Sequence, residues 1–381
     1  MMTDTISAKK FLEELRRYQK GSVTRRHFLG VTGLGLATAV LSTAMPGLRP
    51  RKAYAGLSGT LNLTTWPNYW SQENYDNFTK QTGVPINVSV FGSNEEMLAK
   101  LQAGGTGWDV FVPTNYTIST YKDLGLIEPL DLKLMPSYDA SAQDPRFLGP
   151  GTIDGVTYAV PKDWGTTGFI VNTKSAPQNP TSWKEFHDLA QGPLSGRVMV
   201  HDYQLTTIGN ALKYFGYSFN SLDEKEMADA EKLLLAVKPH LFGINSDYQP
   251  SMRNGDAWMA MCWTNDAAQL HRDIPEMQYV LGKEGGEIWT DHYAIPKGAP
   301  NRDAAYAFID YILTPEINAK EILAHGAPST DSRTNKLLPK EMMENPILYP
   351  AAEALAPLEF GAAATLTSPQ RAEIMARFKA A

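Results

Sequence analysis

Short apolar runs alternate with amphipathic segments along the chain from Thr60 onward. The pattern predicts a strand, a helix, a strand, a helix and a strand at residues 61–65, 71–82, 86–90, 93–101 and 108–112. Ser93 and Glu96 have the spacing of a capping box, which supports the start of the second helix. This order predicts a mainly parallel sheet with helices on both faces, whose ligand crevice lies beyond the carboxyl ends of the strands.

The same alternation returns after Pro161 and predicts a second α/β unit. Strands are expected at residues 168–171, 197–200, 258–263 and 293–295. A helix is expected from Ser182, with Glu185 in capping position. Further helices are expected at 206–215, at 221–237, from 267, at 303–313 and at 315–324, with a polar turn at 264–266. No low-complexity linker separates the halves, so we expect one compact body of two α/β lobes joined by crossovers.

The sequence of residues 1–55 is typical of an export signal, and we expect this segment to be removed from the mature protein. An apolar run at 28–41 begins within Thr24-Arg25-Arg26-His27-Phe28-Leu29, and the two together resemble a twin-arginine signal. Ala53-Tyr54-Ala55 fits a cleavage site before Gly56. The run is shorter than the roughly 20 residues of a spanning helix, which disfavours the alternative of a membrane anchor. We therefore expect a periplasmic protein exported by the twin-arginine pathway.

The predicted export segment has a net positive charge, so residues 56–381 are more acidic than the whole sequence. It holds ten of the 35 basic and three of the 41 acidic residues, which leaves residues 56–381 with a formal charge of −13. A protein that binds nucleic acid needs a basic face, so this balance argues against a nucleic-acid partner. It is compatible with a cationic ligand, and an acidic surface that serves solubility alone is the alternative.

No set of residues has a catalytic or metal-binding spacing. The seven histidines form neither H-E-x-x-H nor another pair on one helical face, and no G-x-S-x-G motif occurs. The glycine-rich segment 104–107 lacks the lysine of a phosphate-binding loop and is expected to form a turn. Cys262 is the single cysteine, so no disulfide can form within the chain. We expect a binding protein without metal or cofactor, and not an enzyme.

Aromatic residues recur near the ends of the predicted strands, several of them beside polar residues. Flat π-faces attract cations and pack on methylene chains, so such rings with one or two carboxylates favour an elongated organic cation. For each ring taken alone, the alternative is ordinary core packing. The set comprises Trp66, Tyr69, Tyr116, Trp164, Trp263 and Trp289.

Motifs that carry a family resemblance are spread over the chain after the export segment. Three of them are Leu63-Thr64-Thr65-Trp66-Pro67-Asn68-Tyr69, Trp108-Asp109-Val110-Phe111-Val112-Pro113-Thr114 and Glu284-Gly285-Gly286-Glu287-Ile288-Trp289-Thr290-Asp291. Others lie at 78–83, 125–131, 164–168, 261–263 and 294–296. In this order they resemble the spermidine/putrescine-binding receptors of bacterial polyamine importers.

The resemblance implies a two-lobed periplasmic binding protein of the type II-like class. Each lobe would have a mainly parallel sheet flanked by helices, with crossover hinge strands between the lobes. One lobe would hold residues 57–163 and 290–332, and the other 164–289 and 333–381. The resemblance also implies a monomeric receptor that closes on a small organic amine and delivers it to the permease of an ABC importer in the inner membrane.

By motif matching, the resemblance implies an aromatic box with one carboxylate. The box would be lined by Trp66, Tyr69 and Tyr116 from one lobe and completed by Trp263, Trp289 and Asp291. Asp291 would pair an ammonium group, because an unpaired buried charge is costly.

The chain departs from the family at a pair of acids in the loop after the strand at 198–200. Tyr203 and Thr206 occupy the two positions. A triamine would then bury ammonium groups with only one carboxylate to serve them, which disfavours spermidine. Further candidates for the site are Thr114, Asp163, Asp202, Tyr203, Asn265 and Asp266.

These patterns favour a substrate-binding receptor for a small cationic amine or polyamine-like solute. An alternative keeps the fold and binds a zwitterionic, amino-acid-like ligand, whose carboxylate would meet Arg253, Lys162 or backbone N–H groups. Two others are an enzyme on the same fold and a sensor that passes the ligand state to a membrane partner.

Overall fold

The structure is a computed structural model that describes residues 57–104, 107–176 and 178–381. The predicted export segment and the middle of the turn predicted at 104–107 lie outside the described residues. None of the described helices is long and apolar enough to cross a membrane.

The described strands and helices follow in chain order. The strands are β1 (Leu61–Thr65), β2 (Ile86–Val90), β3 (Val110–Phe111), β4 (Thr152–Ile153), β5 (Val156–Thr157), β6 (Ala159–Asn172), β7 (Val198–Val200), β8 (Leu241–Ile244), β9 (Met259–Trp263), β10 (Met277–Val280), β11 (Gly286–Ala294) and β12 (Leu358–Phe360). The α-helices are α1 (Gln72–Thr82), α2 (Asn94–Ala103), α3 (Ile118–Asp123), α4 (Pro145–Leu148), α5 (Trp183–Ala190), α6 (Gln204–Tyr214), α7 (Glu224–Val237), α8 (Gln249–Asn254), α9 (Thr264–Asp273), α10 (Arg302–Ile312), α11 (Pro315–His325), α12 (Ser332–Asn335), α13 (Lys340–Met343), α14 (Ala352–Leu355), α15 (Ala363–Leu366) and α16 (Pro369–Ala380).

Ten of the described strands form one mixed sheet in the order β2-β1-β3-β11-β6-β9-β7-β8, with β10 paired to β6 and β12 to β11. At one end β1 runs parallel to β2 and β3, and at the other β7 runs parallel to β8 and β9. Between them β6 and β11 pair antiparallel with each other and with their neighbours β9 and β3. Two parallel segments, as the sequence predicts, are thus joined by two long antiparallel strands.

β6 continues through the point at which the sequence predicts the second unit to begin. Asp291 pairs with Asp163, but the next residue, His292, pairs with Pro161, which leaves Lys162 as an extra residue in a bulge. A bulge accepts proline because the ladder is already interrupted there and a backbone N–H is not needed. The strand predicted at 168–171 is therefore the second part of a longer strand that begins at Ala159.

The polar residues at 264–266 form the first turn of α9, so the prediction of a turn there is wrong. α9 begins directly after β9, and Asp266 lies in its first turn. A carboxylate in that position is favoured by the partial positive charge at the helix N-terminus. The strand predicted at 293–295 is the end of the longer β11.

Both capping boxes predicted from the sequence are confirmed. The Ser93 hydroxyl accepts the backbone N–H of Glu96 at 3.1 Å, and the Ser182 hydroxyl accepts that of Glu185 at 3.0 Å. The two glutamate carboxylates in turn accept N–H groups that precede α2 and α5. These reciprocal bonds satisfy donors that a helix start leaves without an internal partner.

Each parallel segment has its own apolar core. One core joins β1 and β3 to α1 and α10, and the other joins β7 and β9 to α5, α6, α7 and α16. β6 contributes to both, with Val160 in the first core and Phe169 and Val171 in the second. The two cores on one sheet have the architecture of a two-lobed binding protein, with β6 and β11 running between them.

Candidate functional site

A cavity of about 640 Å³ lies where β1, β3 and β9 end, against one face of β11. This volume is in the range of small-molecule sites. The location agrees with the crevice predicted beyond the strand ends. Its lining includes Trp66, Tyr69, Asn94, Thr114, Tyr116, Asp202, Tyr203, Asp247, Arg253, Trp263, Asn265, Asp266, Glu287, Trp289 and Asp291.

Aromatic rings from both halves of the sheet meet in this cavity. Trp66 follows β1 and Trp263 ends β9, and their ring centroids are 6.4 Å apart. Phe91 packs edge-on against Trp66, with centroids 4.5 Å apart. The indole N–H of Trp263 donates to the Tyr203 hydroxyl at 3.1 Å, and the two rings stack. The protein thus holds these rings in place as π-faces for a cation or a methylene chain.

Trp289 and Asp291 come from the middle of β11 and not from a strand end. Trp289 pairs with Gly165 of β6. A Cβ atom on Gly165 would lie 2.4 Å from the Trp289 ring, so the indole can lie against β6 only because this residue is glycine. Asp291 is two residues further along the strand and therefore projects from the same face.

Asp291 is buried and its position is set by neighbouring hydrogen bonds. Its Oδ1 accepts the Thr114 hydroxyl at 2.7 Å. The Asn94 amide donates to Thr114 Oγ1 and to the Tyr116 hydroxyl, both at 3.1 Å. Burial, and then the nearby Asp163 carboxylate, raise the pKa of Asp291. A cation beside Asp291 would favour its charged form.

Asp163 lies opposite Asp291 in the β6–β11 pair, and it is not among the lining residues of the cavity. Its fully buried carboxylate is bound by Lys162 Nζ at 2.6 Å and by the Tyr69 hydroxyl. Burial raises the pKa of Asp163 against the attraction of Lys162. The Lys162 ammonium also lies 3.6 Å from the centroid of the Tyr69 ring. Asp163 therefore orients Tyr69, which does line the cavity.

His325 adds no positive charge to this network. Its Nδ1 accepts the backbone N–H of Ala327 at 3.1 Å, and its Nε2 lies 3.1 Å from Lys162 Nζ and 3.4 Å from the Asp163 carboxylate. Burial and the neighbouring Lys162 hold the pKa of His325 well below its usual value, and the ring is neutral. One lysine thus faces two carboxylates, which leaves negative charge in excess when Asp291 is ionised.

Asp202 and Asp266 line the side of the cavity that follows β7 and β9. Asp202 accepts the Ser246 hydroxyl at 2.5 Å, and Asp266 accepts the Asn265 amide at 3.2 Å. Burial raises the pKa of Asp266 to about 6. Thr206 is fully buried beside the His201 ring and is not a lining residue. Within the described residues, no group of three or more acids, histidines or cysteines is placed to hold a metal ion.

The structure adds cavity residues that were not predicted and leaves one aromatic outside. Glu287 and Asn94 line the cavity. Glu287 could have been found from the period-two alternation that puts it on the face of Trp289 and Asp291, whereas no sequence pattern distinguishes Asn94 from an ordinary first residue of a helix. Trp164 is on the other face of β6, where it stacks on Phe147 with ring centroids 5.1 Å apart.

Comparisons with known proteins agree with this architecture. The model of a family described as bacterial extracellular solute-binding protein matches residues 73–349. The spermidine/putrescine-binding periplasmic protein 1 of Haemophilus influenzae is 32% identical over 308 residues, which cover 80% of this chain and 84% of that protein. The spermidine/putrescine-binding periplasmic protein of Escherichia coli is 31% identical over 307 residues, which cover 80% and 86%.

A solved structure has the same fold. It is a putative spermidine/putrescine ABC transporter from Listeria monocytogenes, with a TM-score of 0.78 and 30% identity. The match covers 84% of this chain and 99% of that one. By the extent of these similarities, the chain belongs to the family of bacterial extracellular solute-binding proteins.

Proposed function

We propose that this protein is the periplasmic receptor of an ABC importer and that its ligand is a small aliphatic amine of the polyamine class. The observation that carries the proposal is the buried Asp291 carboxylate in an aromatic cavity, where the nearby Lys162 is already paired with Asp163. An ammonium group would supply both the missing charge and N–H donors. The names of the relatives from Haemophilus influenzae and Escherichia coli support the same ligand class.

The aromatic rings and Asp291 would contact different parts of the ligand. The ammonium group binds Asp291 beside Tyr69 and Thr114, and the methylene chain packs on Trp66, Trp263 and Trp289. Burial of the methylenes contributes about 0.8 kcal/mol each, and a cation against an indole face adds roughly 0.5–2 kcal/mol.

A zwitterionic ligand fits the cavity less well. Arg253 is a lining residue, but its guanidinium is paired with Asp273 at 2.9 Å. Lys162 is buried and bound to Asp163. A ligand carboxylate would instead meet Asp202 and Asp266, and like charges placed together cost affinity.

We extend the proposal to the transport cycle. The lobes are residues 57–163 with 290–332 and 164–289 with 333–381, and they close on the ligand by bending at β6 and β11. The closed monomer delivers the amine to a permease in the inner membrane. Export through the twin-arginine pathway depends on Arg25 and Arg26, so changing both to Lys should leave the precursor in the cytoplasm.

The ligand class is tested by titrating purified residues 56–381 with putrescine and spermidine, and with alanine and glutamate as zwitterionic controls. Calorimetry and tryptophan fluorescence should show saturable binding of an amine and none of the amino acids. Mass spectrometry of the recovered amine should find it unchanged, as expected of a receptor. No response to any amine at millimolar concentration would overturn the proposal.

A further inference from the structure

β11 presents three side chains to the cavity from alternate positions. Glu287, Trp289 and Asp291 are all lining residues, and successive side chains of a strand point to opposite faces. The intervening Ile288 belongs to a different apolar cluster, with Phe147 and Trp164, which confirms the alternation. The cavity therefore has a carboxyl group on each side of the Trp289 indole.

Glu287 is as deeply placed as Asp291. The residue is 3% exposed, and its Oε2 accepts the hydroxyl of Thr167, the facing residue of β6, at 2.5 Å. Burial raises the pKa of Glu287 to about 7. The titratable groups that sense its charge are the hydroxyls of Tyr116 and Tyr203, whose pKa values are raised well above the ordinary value by burial first and then by acidic neighbours that include Glu287.

Glu287 has no cationic partner within the part of the chain that the structure describes. Among the described residues, no lysine or arginine forms an ion pair with it, and none contributes to the shift of its pKa. Glu359 and Asp163, by contrast, each have a cation of the protein beside them: Glu359 is bound by Lys213 at 2.5 Å, and Asp163 by Lys162 at 2.6 Å. A buried carboxyl group that is aimed into a binding cavity and has no internal cation is suited to a cation from the ligand.

The spacing of Glu287 and Asp291 along β11 indicates how long a linear amine must be to contact both carboxylates. Glu287 and Asp291 are four residues apart on an extended strand, which is about 13 Å between Cα atoms. An extended saturated chain advances about 1.2 Å per bond, so about 6 Å separates the nitrogens of putrescine and about 11 Å the terminal nitrogens of spermidine. The terminal nitrogens of spermidine thus approach the spacing of the two residues on either side of Trp289, whereas those of putrescine span only about half of it.

We propose that Glu287 determines ligand length: it binds the far ammonium group of a linear amine whose near ammonium group lies at Asp291 and whose chain crosses the Trp289 indole. This inference rests on the proposed function and goes further, because it assigns a second charged contact and favours a triamine over putrescine. Glu287 would then supply, from β11, a carboxylate in place of the acid pair that Tyr203 and Thr206 replace, and the proposal therefore favours spermidine where the sequence alone disfavours it.

The experiment compares spermidine, putrescine and butylamine by calorimetry on the wild type, Glu287→Gln and Glu321→Gln. Glu321 is the matched control, because it is also a buried glutamate whose pKa is raised to about 7 by burial, and it does not line the cavity. We expect Glu287→Gln to weaken spermidine about 10- to 100-fold and to change putrescine and butylamine little. Glu321→Gln should leave the ratio of spermidine to putrescine affinity unchanged.

Equal weakening of all three amines by Glu287→Gln, or no change for spermidine, would overturn the inference while the proposed function stands. Failure of every amine to bind the wild type would overturn the proposed function itself. A second measurement needs no variant: in buffers of different ionisation enthalpy at pH 7, spermidine should release more protons from the wild type than putrescine does. Equal proton release would contradict a role for Glu287.

Discussion

Asp291 and Glu287 are carboxyl groups in surroundings that oppose their ionisation. Burial raises the pKa of both, and the Asp163 carboxylate raises that of Asp291 further. A cationic ligand reverses this effect, since it stabilises the ionised carboxylate that it contacts. Ligand affinity, protein stability and pH are therefore linked through these two side chains.

Replacing Asp291 with Asn should weaken every amine by at least about 30-fold, because one partner of a buried charged pair is lost. The shape of the side chain and its bond from Thr114 can be kept. Calorimetry measures the loss. Asp229→Asn, which changes a partly exposed carboxylate paired with Lys225 outside the cavity, should bind amines like the wild type. Unchanged affinity in Asp291→Asn would contradict the assignment of the near ammonium site.

The affinity for spermidine should rise from pH 6 to pH 8. Glu287 must lose its proton to pair with an ammonium group, and its pKa is about 7 before the ligand binds. Each such group can contribute at most about tenfold per pH unit. Titrations at pH 6, 7 and 8 should give a steeper rise for the wild type than for Glu287→Gln, and parallel profiles would contradict the prediction.

Glu287→Gln should also stabilise the protein at pH 8 when no ligand is added. The pKa of Glu287 is raised from 4.5 to about 7 on folding, so the folded state holds the proton more tightly. Its contribution to stability is fully present below pH 4.5 and declines until about pH 7, by up to about 3 kcal/mol. Glutamine has no group that ionises in this range, so the variant does not lose stability in this way as the pH rises. Denaturant unfolding measures the difference in the free energy of unfolding between Glu287→Gln and the wild type. This difference should favour the variant more at pH 8 than at pH 5, and an equal difference at both pH values would contradict the prediction.

The pairing of β6 with β11 places the site between the two cores. Glu287, Trp289 and Asp291 face Thr167, Gly165 and Asp163 in register, so each cavity residue of β11 has a specific neighbour on β6. The bulge at Lys162 follows immediately and turns the lysine toward Asp163 and His325. A shift of register by one residue would move all of these side chains to the opposite face.

Gly165→Ala should test the close approach of the Trp289 indole to the backbone of β6. The added methyl group would meet the Trp289 ring at 2.4 Å, so the indole must move. We expect a loss of about 1–3 kcal/mol in the free energy of unfolding and weaker amine binding. Gly243→Ala on β8 is the control, because its methyl group would meet only Met199 at 3.5 Å. Chemical unfolding and fluorescence titration measure the two effects, and a wild-type result for Gly165→Ala would contradict the packing.

In the proposed transport cycle, the halves that hold the two cores bend relative to each other at β6 and β11. Of these two strands, β11 also carries lining residues of the cavity. A ligand that contacts both sides of the cavity would therefore stabilise the closed form over the open form.

Spermidine should reduce the radius of gyration in solution scattering toward the about 20 Å expected for a compact chain of this length. Asp291→Asn at the same ligand concentration should retain the larger value, because little amine binds. An identical radius with and without saturating spermidine in the wild type would contradict closure.

Local patterns in the sequence were sufficient for most of the secondary structure. The capping boxes at Ser93 and Ser182 depend on residues three positions apart, so they can be recognised without the fold. The turn assigned at 264–266 was wrong because a helix starts directly at the end of β9, and the continuation of β6 through Pro161, which a bulge opposite His292 accommodates, was not predicted. Both depend on neighbours that are distant in sequence.

The sequence by itself determined the α/β class, the family resemblance and the placement of Trp66 and Trp263 at strand ends, because these follow from periodicity and short motifs. Only the tertiary structure decided that Asp163 is bound to Lys162 away from the cavity and that Glu287 lies inside it. The physical reason is that a carboxylate's role depends on what surrounds it. Burial, a paired lysine or a facing strand is contributed by residues far along the chain, and the register of β6 with β11 brings them together.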